Sequence, residues 1–197
     1  MATISKAQKV DVKSNICQGD VFQNVQYAYL DSEDDASIQV VEFVFPMAVI
    51  VSQACDVISM SDMISKQEGK STKFMPAILM CPIYDMDDVK KANHLTAAFE
   101  ELGINRLDNK DDTLLTKEDS KVAGKDWHYR FHNIEVEINN EKVVERAVID
   151  FKHYFAVPAS YLIKNRENRL FHLENLFAEQ ITLKFATYLS RVAIPDE

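Results

Sequence analysis

Residues 45–56 read FPMAVIVSQACD, and the run at residues 47–51 is the segment that decides the fold. Every position in this run is apolar, whereas a strand with one solvated face would alternate, so the run predicts a central strand buried on both faces. Ser52 and Gln53 end the run and mark the point where the chain leaves the core. The other strands are therefore expected on either side of this one.

Short apolar segments that predict strands flank this run. Before it, residues 25–30 follow Gly19-Asp20-Val21-Phe22 and end in an acidic turn at residues 31–35, and residues 38–45 predict a second strand. After it, residues 74–83 predict another strand, because two prolines disfavour a long helix there. The polar stretches near 31–37 and 59–73 are expected to be mobile loops.

A β-hairpin is predicted further along the chain. Ile134, Val136 and Ile138 share one strand face, Asn139-Asn140 can adopt the positive φ of a tight turn, and residues 143–149 return. Residues 154–157 could add one more strand. The alternation is typical of an antiparallel pair with one buried face.

Two helices are predicted. Asp85, Asp87 and Asp88 favour a helix N-terminus, the apolar spacing continues to Leu102, and Gly103 ends that helix. The second is a C-terminal amphipathic helix in which His172 stands at the start. Its apolar face steps by four through Leu173, Phe177, Ile181, Phe185 and Leu189. Together the elements predict an α+β fold, a mostly antiparallel barrel or bent sheet with one internal and one C-terminal helix.

Composition limits the class of protein. With 197 residues, 47% of them hydrophobic, the chain can bury one core, so residues 1–197 are expected to form a single domain with a mobile N-terminus at 1–15. The net charge of −9 repels polyanions and disfavours non-specific nucleic-acid binding. Without βαβ alternation or a Gly-rich loop, a doubly wound nucleotide-binding fold is not expected.

The N-terminal residues and the cysteines predict a cytoplasmic protein. No signal-like segment and no membrane-length apolar stretch is present in the sequence. Cys17, Cys55 and Cys81 form neither an even set nor a CxxC pair, so they are expected to be reduced thiols. A structural zinc site is not expected, and neither is a cofactor.

Residues 52–56 form the first candidate site, because Ser52, Gln53, Cys55 and Asp56 stand at the exit of a buried strand. One hypothesis makes Cys55 a nucleophile with Asp56 beside it, and Ser52 and Gln53 binding residues. A nucleophilic thiol needs a base, usually histidine. The structural alternative makes Cys55 a small buried apolar residue and lets Asp56 cap the following turn.

Two more candidate sites contain histidines. In residues 127–132, read as a strand, His128, Arg130 and His132 would share one face, either solvated or contacting phosphate or an acidic partner. Asp150 and His153 form the third set and would be partners only if a turn brings them together. A Cys55–His153–Asp150 triad is then conceivable, and so is one with His128. No function is assigned to His94 or His172, and no metal site is predicted.

Two resemblances arise from these residues. Gly19-Asp20-Val21-Phe22 followed by FPMAVIVS at 45–52 resembles the opening of the MazF/PemK-like toxin family, although Phe45 stands where that family has an arginine. This likeness implies an SH3-like barrel and RNA cleavage. The Ser-Gln-x-Cys-Asp motif at 52–56, with VIDF at 148–151 and the C-terminal residues 185–195, is similar to a widespread group of bacterial proteins. That group brings no established activity.

The leading interpretation is a bacterial cytoplasmic binding or interaction domain with an SH3-like (MazF/PemK-like) barrel. Its partner would be a protein or a small molecule, and a homodimer through an edge strand is plausible. The alternative is a MazF-like RNA-directed hydrolase or a Cys55-dependent enzyme, in which His128, Arg130 or His153 acts as acid, base or phosphate clamp.

Overall fold

The computed structural model describes residues 3–34, 37–67, 69, 71–91, 93–96, 100 and 130–190. Within them the chain is α+β, with eight strands and four α-helices. The strands are β1 Thr3–Gln8, β2 Asp20–Asp34, β3 Ser37–Ile50, β4 Ala77–Asp85, β5 Phe131–Ile138, β6 Glu141–Asp150, β7 Phe155–Pro158 and β8 Arg169–Leu173. The helices are α1 Ala54–Ser65, α2 Met86–Lys90, α3 Ala159–Lys164 and α4 Asn175–Leu189.

All eight strands belong to one mixed sheet in the order β3-β2-β8-β1-β5-β6-β4-β7. The β1–β5 pair is parallel and the other pairs are antiparallel, so the sheet is mostly antiparallel as predicted. An additional pairing joins β3 to β4, with Val49 opposite Cys81. The hydrogen-bonded pairings therefore return to the strand from which the order began.

The apolar run at residues 47–51 lies centrally, because β3 pairs with β2 on one edge and with β4 on the other. Successive side chains alternate between two apolar clusters. Val49 packs in a cluster with α4 residues such as Phe185, whereas Ile50 packs in a second cluster with Val57 of α1 and Leu162 of α3. Both faces of the strand are covered, which confirms the prediction made from the unbroken apolar run.

Local sequence signals predicted several elements correctly. Asn139 and Asn140 connect β5 and β6 with φ of 54° and 66°, as a tight hairpin turn requires. Asp85 is the N-cap of α2, where its carboxylate accepts the backbone N–H of Asp87 and Asp88. The amphipathic helix predicted at the C-terminus is α4.

Other predictions were wrong. Residues 59–73, expected to be a mobile loop, are largely helical, because Val57, Met60 and Ser61 bury one face of α1 at helical spacing. The strands predicted at 38–45 and 47–51 are a single strand, β3, which continues through Pro46. Of the helix predicted from Asp85 to Gly103, α2 covers Met86–Lys90 and a 3-10 turn follows at Asn93–Leu95, while residues 92, 97–99 and 101–103 lie outside the described part of the chain.

Two strands had no prediction. Residues 3–8, assigned to a mobile N-terminus, form β1 between β5 and β8. His172, expected to open the last helix, lies in β8 and is buried. Both strands are short and are stabilised by pairing with partners that are distant in sequence.

None of the helices in the described part combines the length and the apolar character that a membrane span needs.

Candidate functional site

A groove of about 450 Å3 lies beside the end of β6, and we call it the aromatic groove. Its rings belong to Tyr27, Phe43, Phe45, Tyr84, Tyr154 and Phe155. Phe45 stacks on Phe155 with ring centroids 4.2 Å apart, and Tyr27 meets Phe155 edge-on at 5.6 Å. The groove also contains the carboxylates of Glu42, Asp85 and Asp88, together with His94 and His153. Its surface is therefore aromatic and acidic.

Asp150, the last residue of β6, contacts His153 of this groove. Its side chain is fully buried, and its carboxylate accepts two parallel hydrogen bonds from Arg130, from Nε at 2.9 Å and from Nη2 at 2.7 Å. The backbone N–H of Lys152 donates to the same carboxylate at 2.9 Å. This bidentate pair is the arrangement in which arginine binds a carboxylate most strongly.

A 3-10 turn at Phe151–His153 brings His153 back onto Asp150. The ring Nδ1 lies 3.0 Å from Asp150 Oδ2, and Nε2 accepts a hydrogen bond from Arg130 Nη2 at 3.4 Å. Burial lowers the pKa of His153 to about 4, against the opposing charge of Asp150, so the imidazole is neutral near pH 7. The partnership that the sequence left dependent on a turn is therefore formed.

His94 lies on the other side of the same space, in a 3-10 turn that follows α2. Its ring centroid is 5.8 Å from that of His153 and 4.8 Å from that of Tyr84. Nδ1 lies 3.4 Å from the backbone oxygen of Asp88, whereas Nε2 is buried and has no hydrogen-bond partner among the residues that the structure describes. Burial also lowers the pKa of His94, which favours its neutral form.

His94, Asp150 and His153 thus form a compact group of polar ligand atoms. One ligand atom from each lies within 4.8 Å of the other two, a spacing at which the group could hold a metal ion. Sequence reasoning assigned His94 no function, because it stands far from His153 in the chain and no local motif marks it. The groove aromatics gave no signal either, since aromatic residues on strands usually belong to a core.

The candidates at the exit of β3 lie apart from this group. Ser52 is buried, and its hydroxyl accepts the backbone N–H of Leu79 at 2.8 Å, while Gln53 is exposed at the N-cap of α1. Cys55 is exposed, and its thiol contacts Asp56 Oδ1 at 3.6 Å. The alternative of a buried Cys55 is therefore wrong, and Asp56 lies in the first turn of α1 without capping it. Neither residue lines the aromatic groove.

The three candidates within residues 127–132 have different surroundings. His128 lies outside the described residues, whereas Arg130 joins Asp150 as above. His132 is buried at 6% exposure, so a solvated face is wrong for this residue. It accepts a hydrogen bond at Nδ1 from Lys184 Nζ of α4 at 2.8 Å, and burial lowers its pKa to about 4. This contact joins β5 to the C-terminal helix.

A second buried polar group surrounds Asp20. Arg169 Nη1 donates to Asp20 Oδ2 at 2.8 Å and His172 Nδ1 donates to Oδ1 at 2.9 Å. Arg169 Nη2 also donates to the backbone oxygen of Asp11 at 2.6 Å. Because these bonds tie the segment before β2 to β2 and β8, the group serves the fold.

Comparison of the chain with protein-family models, with curated proteins and with solved structures finds no significant match.

Proposed function

We propose that this chain is a binding domain with an SH3-like barrel, and that a cationic segment of a partner protein occupies its aromatic groove. The mostly antiparallel sheet, with pairings that return to β3, supports the barrel. The observation that carries the binding function is the groove itself, in which aromatic rings and three carboxylates share one concave surface. Concave sites with an apolar lining and a few polar groups are the usual form of ligand sites.

A cation suits this lining for two reasons. Arginine and lysine side chains are attracted to aromatic faces, by about 0.5–2 kcal/mol according to how far they are desolvated. Glu42, Asp85 and Asp88 place negative charge on the same surface, and the net charge of −9 attracts basic partners from a distance. The groove carboxylates and the net negative charge would both repel a polyanion.

The test uses a fluorescein-labelled peptide of alternating arginine and proline residues, with a citrulline peptide of the same shape as its uncharged control. Fluorescence anisotropy should show tighter binding of the arginine peptide, weakened by salt. Glu42→Gln, on the groove, should weaken binding about threefold, as expected for an exposed charge pair. Glu179→Gln makes the same charge change on α4 and should leave binding unchanged. Equal binding of both peptides would overturn the proposal.

Hydrolysis is the second candidate, and the His153–Asp150 pair favours it. The buried Asp150 carboxylate lies 3.0 Å from His153 Nδ1 and holds an imidazole whose Nε2 would act as a general base once it is released from Arg130 Nη2. The substrate could be RNA, as the MazF resemblance implies, although the acidic groove opposes a polyanion, and Cys55 lies outside the groove. A fluorogenic RNA oligonucleotide cleaved by the wild type and not by His153→Gln would support hydrolysis. Equal signals from both proteins would exclude it.

A further inference from the structure

In both groove histidines, Nδ1 is the ring nitrogen that meets a protein oxygen atom. His153 Nδ1 lies 3.0 Å from an Asp150 carboxylate oxygen, and His94 Nδ1 lies 3.4 Å from the backbone oxygen of Asp88. Both partners can only accept, so each ring carries its proton on Nδ1. His94 Nε2 therefore presents an unused lone pair within the described residues, whereas the lone pair of His153 Nε2 accepts a hydrogen bond from Arg130 Nη2 at 3.4 Å.

This arrangement is the one that metal-ligating histidines adopt. Such residues almost always donate their second ring N–H to a carboxylate or to a backbone carbonyl, which fixes the tautomer and the ring orientation. His153 has the carboxylate partner and His94 has the carbonyl partner. His132 differs, because its Nδ1 accepts from Lys184, and His172, whose Nδ1 also meets a carboxylate, lies in the buried Asp20 group.

An independent observation points to a missing partner. His94 Nε2 is buried and has no hydrogen-bond partner within the described residues, and a buried polar atom of this kind calls for an unseen water or ion. Two zinc–nitrogen bonds span at most about 4.2 Å. One ligand atom from each of His94, Asp150 and His153 lies within 4.8 Å of the other two, so an ion could be held here after small movements of these side chains.

We propose that His94 Nε2 and His153 Nε2 bind a divalent first-row transition metal such as Zn2+, with Asp150 as the outer-sphere partner of His153. Asp150 is not a direct ligand, because its two oxygens already accept three hydrogen bonds and Oδ2 also lies 3.0 Å from His153 Nδ1. His94 and His153 both line the aromatic groove, so water or a donor atom of a bound ligand would complete the coordination. Imidazole nitrogens suit this class of metal.

Arg130 limits the affinity of this site. Its Nη2 lies 3.4 Å from His153 Nε2, so its positive charge opposes the metal, while Asp150 offsets that charge. A metal ion must also displace the hydrogen bond from Arg130 Nη2 to His153 Nε2. The site goes beyond the proposed peptide binding, because the metal ligands include neither the aromatic rings nor Glu42.

The test is titration of the full chain with Zn2+ by calorimetry and with Co2+ by visible absorption, after treatment with a chelator. Wild-type protein should bind one ion per chain, and His94→Gln and His153→Gln should each abolish that binding. Cys55→Ser is the matched control, because the exposed Cys55 thiol is the competing soft ligand. This variant should bind as the wild type does, and the Co2+ spectrum should lack a thiolate charge-transfer band.

A second measurement keeps the inference testable if a variant fails to fold. In wild-type protein with 15N-labelled histidine, Zn2+ should shift the Nε2 resonances of two of the five histidines. No binding by the wild type, binding lost in Cys55→Ser, or unshifted imidazole resonances would overturn the inference. When the peptide titration is repeated in chelator, its outcome reports on the proposed function separately.

Discussion

Replacing Asp150 by asparagine should test how the candidate site is held. The side chain keeps its shape but exchanges one acceptor oxygen for an NH2 donor. On the Oδ1 side this donor would face Arg130 Nε and the N–H of Lys152, and on the Oδ2 side it would face Arg130 Nη2 and His153 Nδ1. The Oδ1 orientation replaces two hydrogen bonds by contacts between donors, and the Oδ2 orientation replaces one hydrogen bond and the 3.0 Å contact with His153.

The expected cost follows from these contacts. A hydrogen bond to a charged group contributes about 1.5–3 kcal/mol, so losing two should lower the free energy of unfolding by about 3–5 kcal/mol. This is the range for removing one member of a buried ion pair. Arg130→Met should cost a similar amount, because it leaves a fully buried carboxylate with two fewer donors.

A double-mutant cycle tests this pair. It compares the urea denaturation of the wild type, Asp150→Asn, Arg130→Met and the double variant. The double variant should lose at least about 2 kcal/mol less than the sum of the two single losses, since either substitution already breaks the pair. A cost below about 1 kcal/mol for Asp150→Asn, or strictly additive losses, would refute the view that this buried pair organises the site.

Three further predictions concern the rest of the chain. Burial lowers the pKa of His132 from 6.5 to about 4, so the folded state resists a proton that the unfolded chain binds, and stability is lost as pH falls through this window. This shift predicts that between pH 7 and pH 4 the free energy of unfolding falls by about 3 kcal/mol more in the wild type than in His132→Gln, as measured by urea denaturation. Parallel plots of unfolding free energy against pH for the two proteins would contradict the prediction. Gly19→Ala should cost about 2–4 kcal/mol, because Gly19 has φ of +85° and a Cβ there would lie 2.5 Å from Ala178 Cβ. Gly69→Ala is the matched control, because no atom of the described residues lies within 4 Å of a Cβ added at Gly69. This substitution should leave the melting temperature unchanged. Iodoacetamide should modify exposed Cys55 in the folded protein and buried Cys81 only after unfolding, as followed by peptide mass spectrometry, and early labelling of Cys81 would contradict the structure.

Elements with a local physical cause were predictable from the sequence. The run at 47–51 has no polar position, so its strand needs apolar neighbours on both faces. Asn139-Asn140 supplies the positive φ of the hairpin, and Asp85 supplies the helix cap. Helix α1 was missed because its buried face contains Ser61, whose hydroxyl accepts the buried backbone N–H of Ile16 at 3.2 Å. A polar residue made a packed helix resemble a loop.

The fold class, the position of the central strand, the hairpin turn and the acidic character of the molecule are predictable from the amino acids, because each depends on nearby residues or on composition. The amino acids also marked Asp150, His153 and Arg130 as candidates. The folded molecule was needed to show that these three meet, that His94 joins them and that Cys55 stays apart. Such meetings depend on strand order and on one 3-10 turn, which bring together side chains from distant parts of the chain. No local pattern encodes that convergence, since it follows from how the whole sheet is paired.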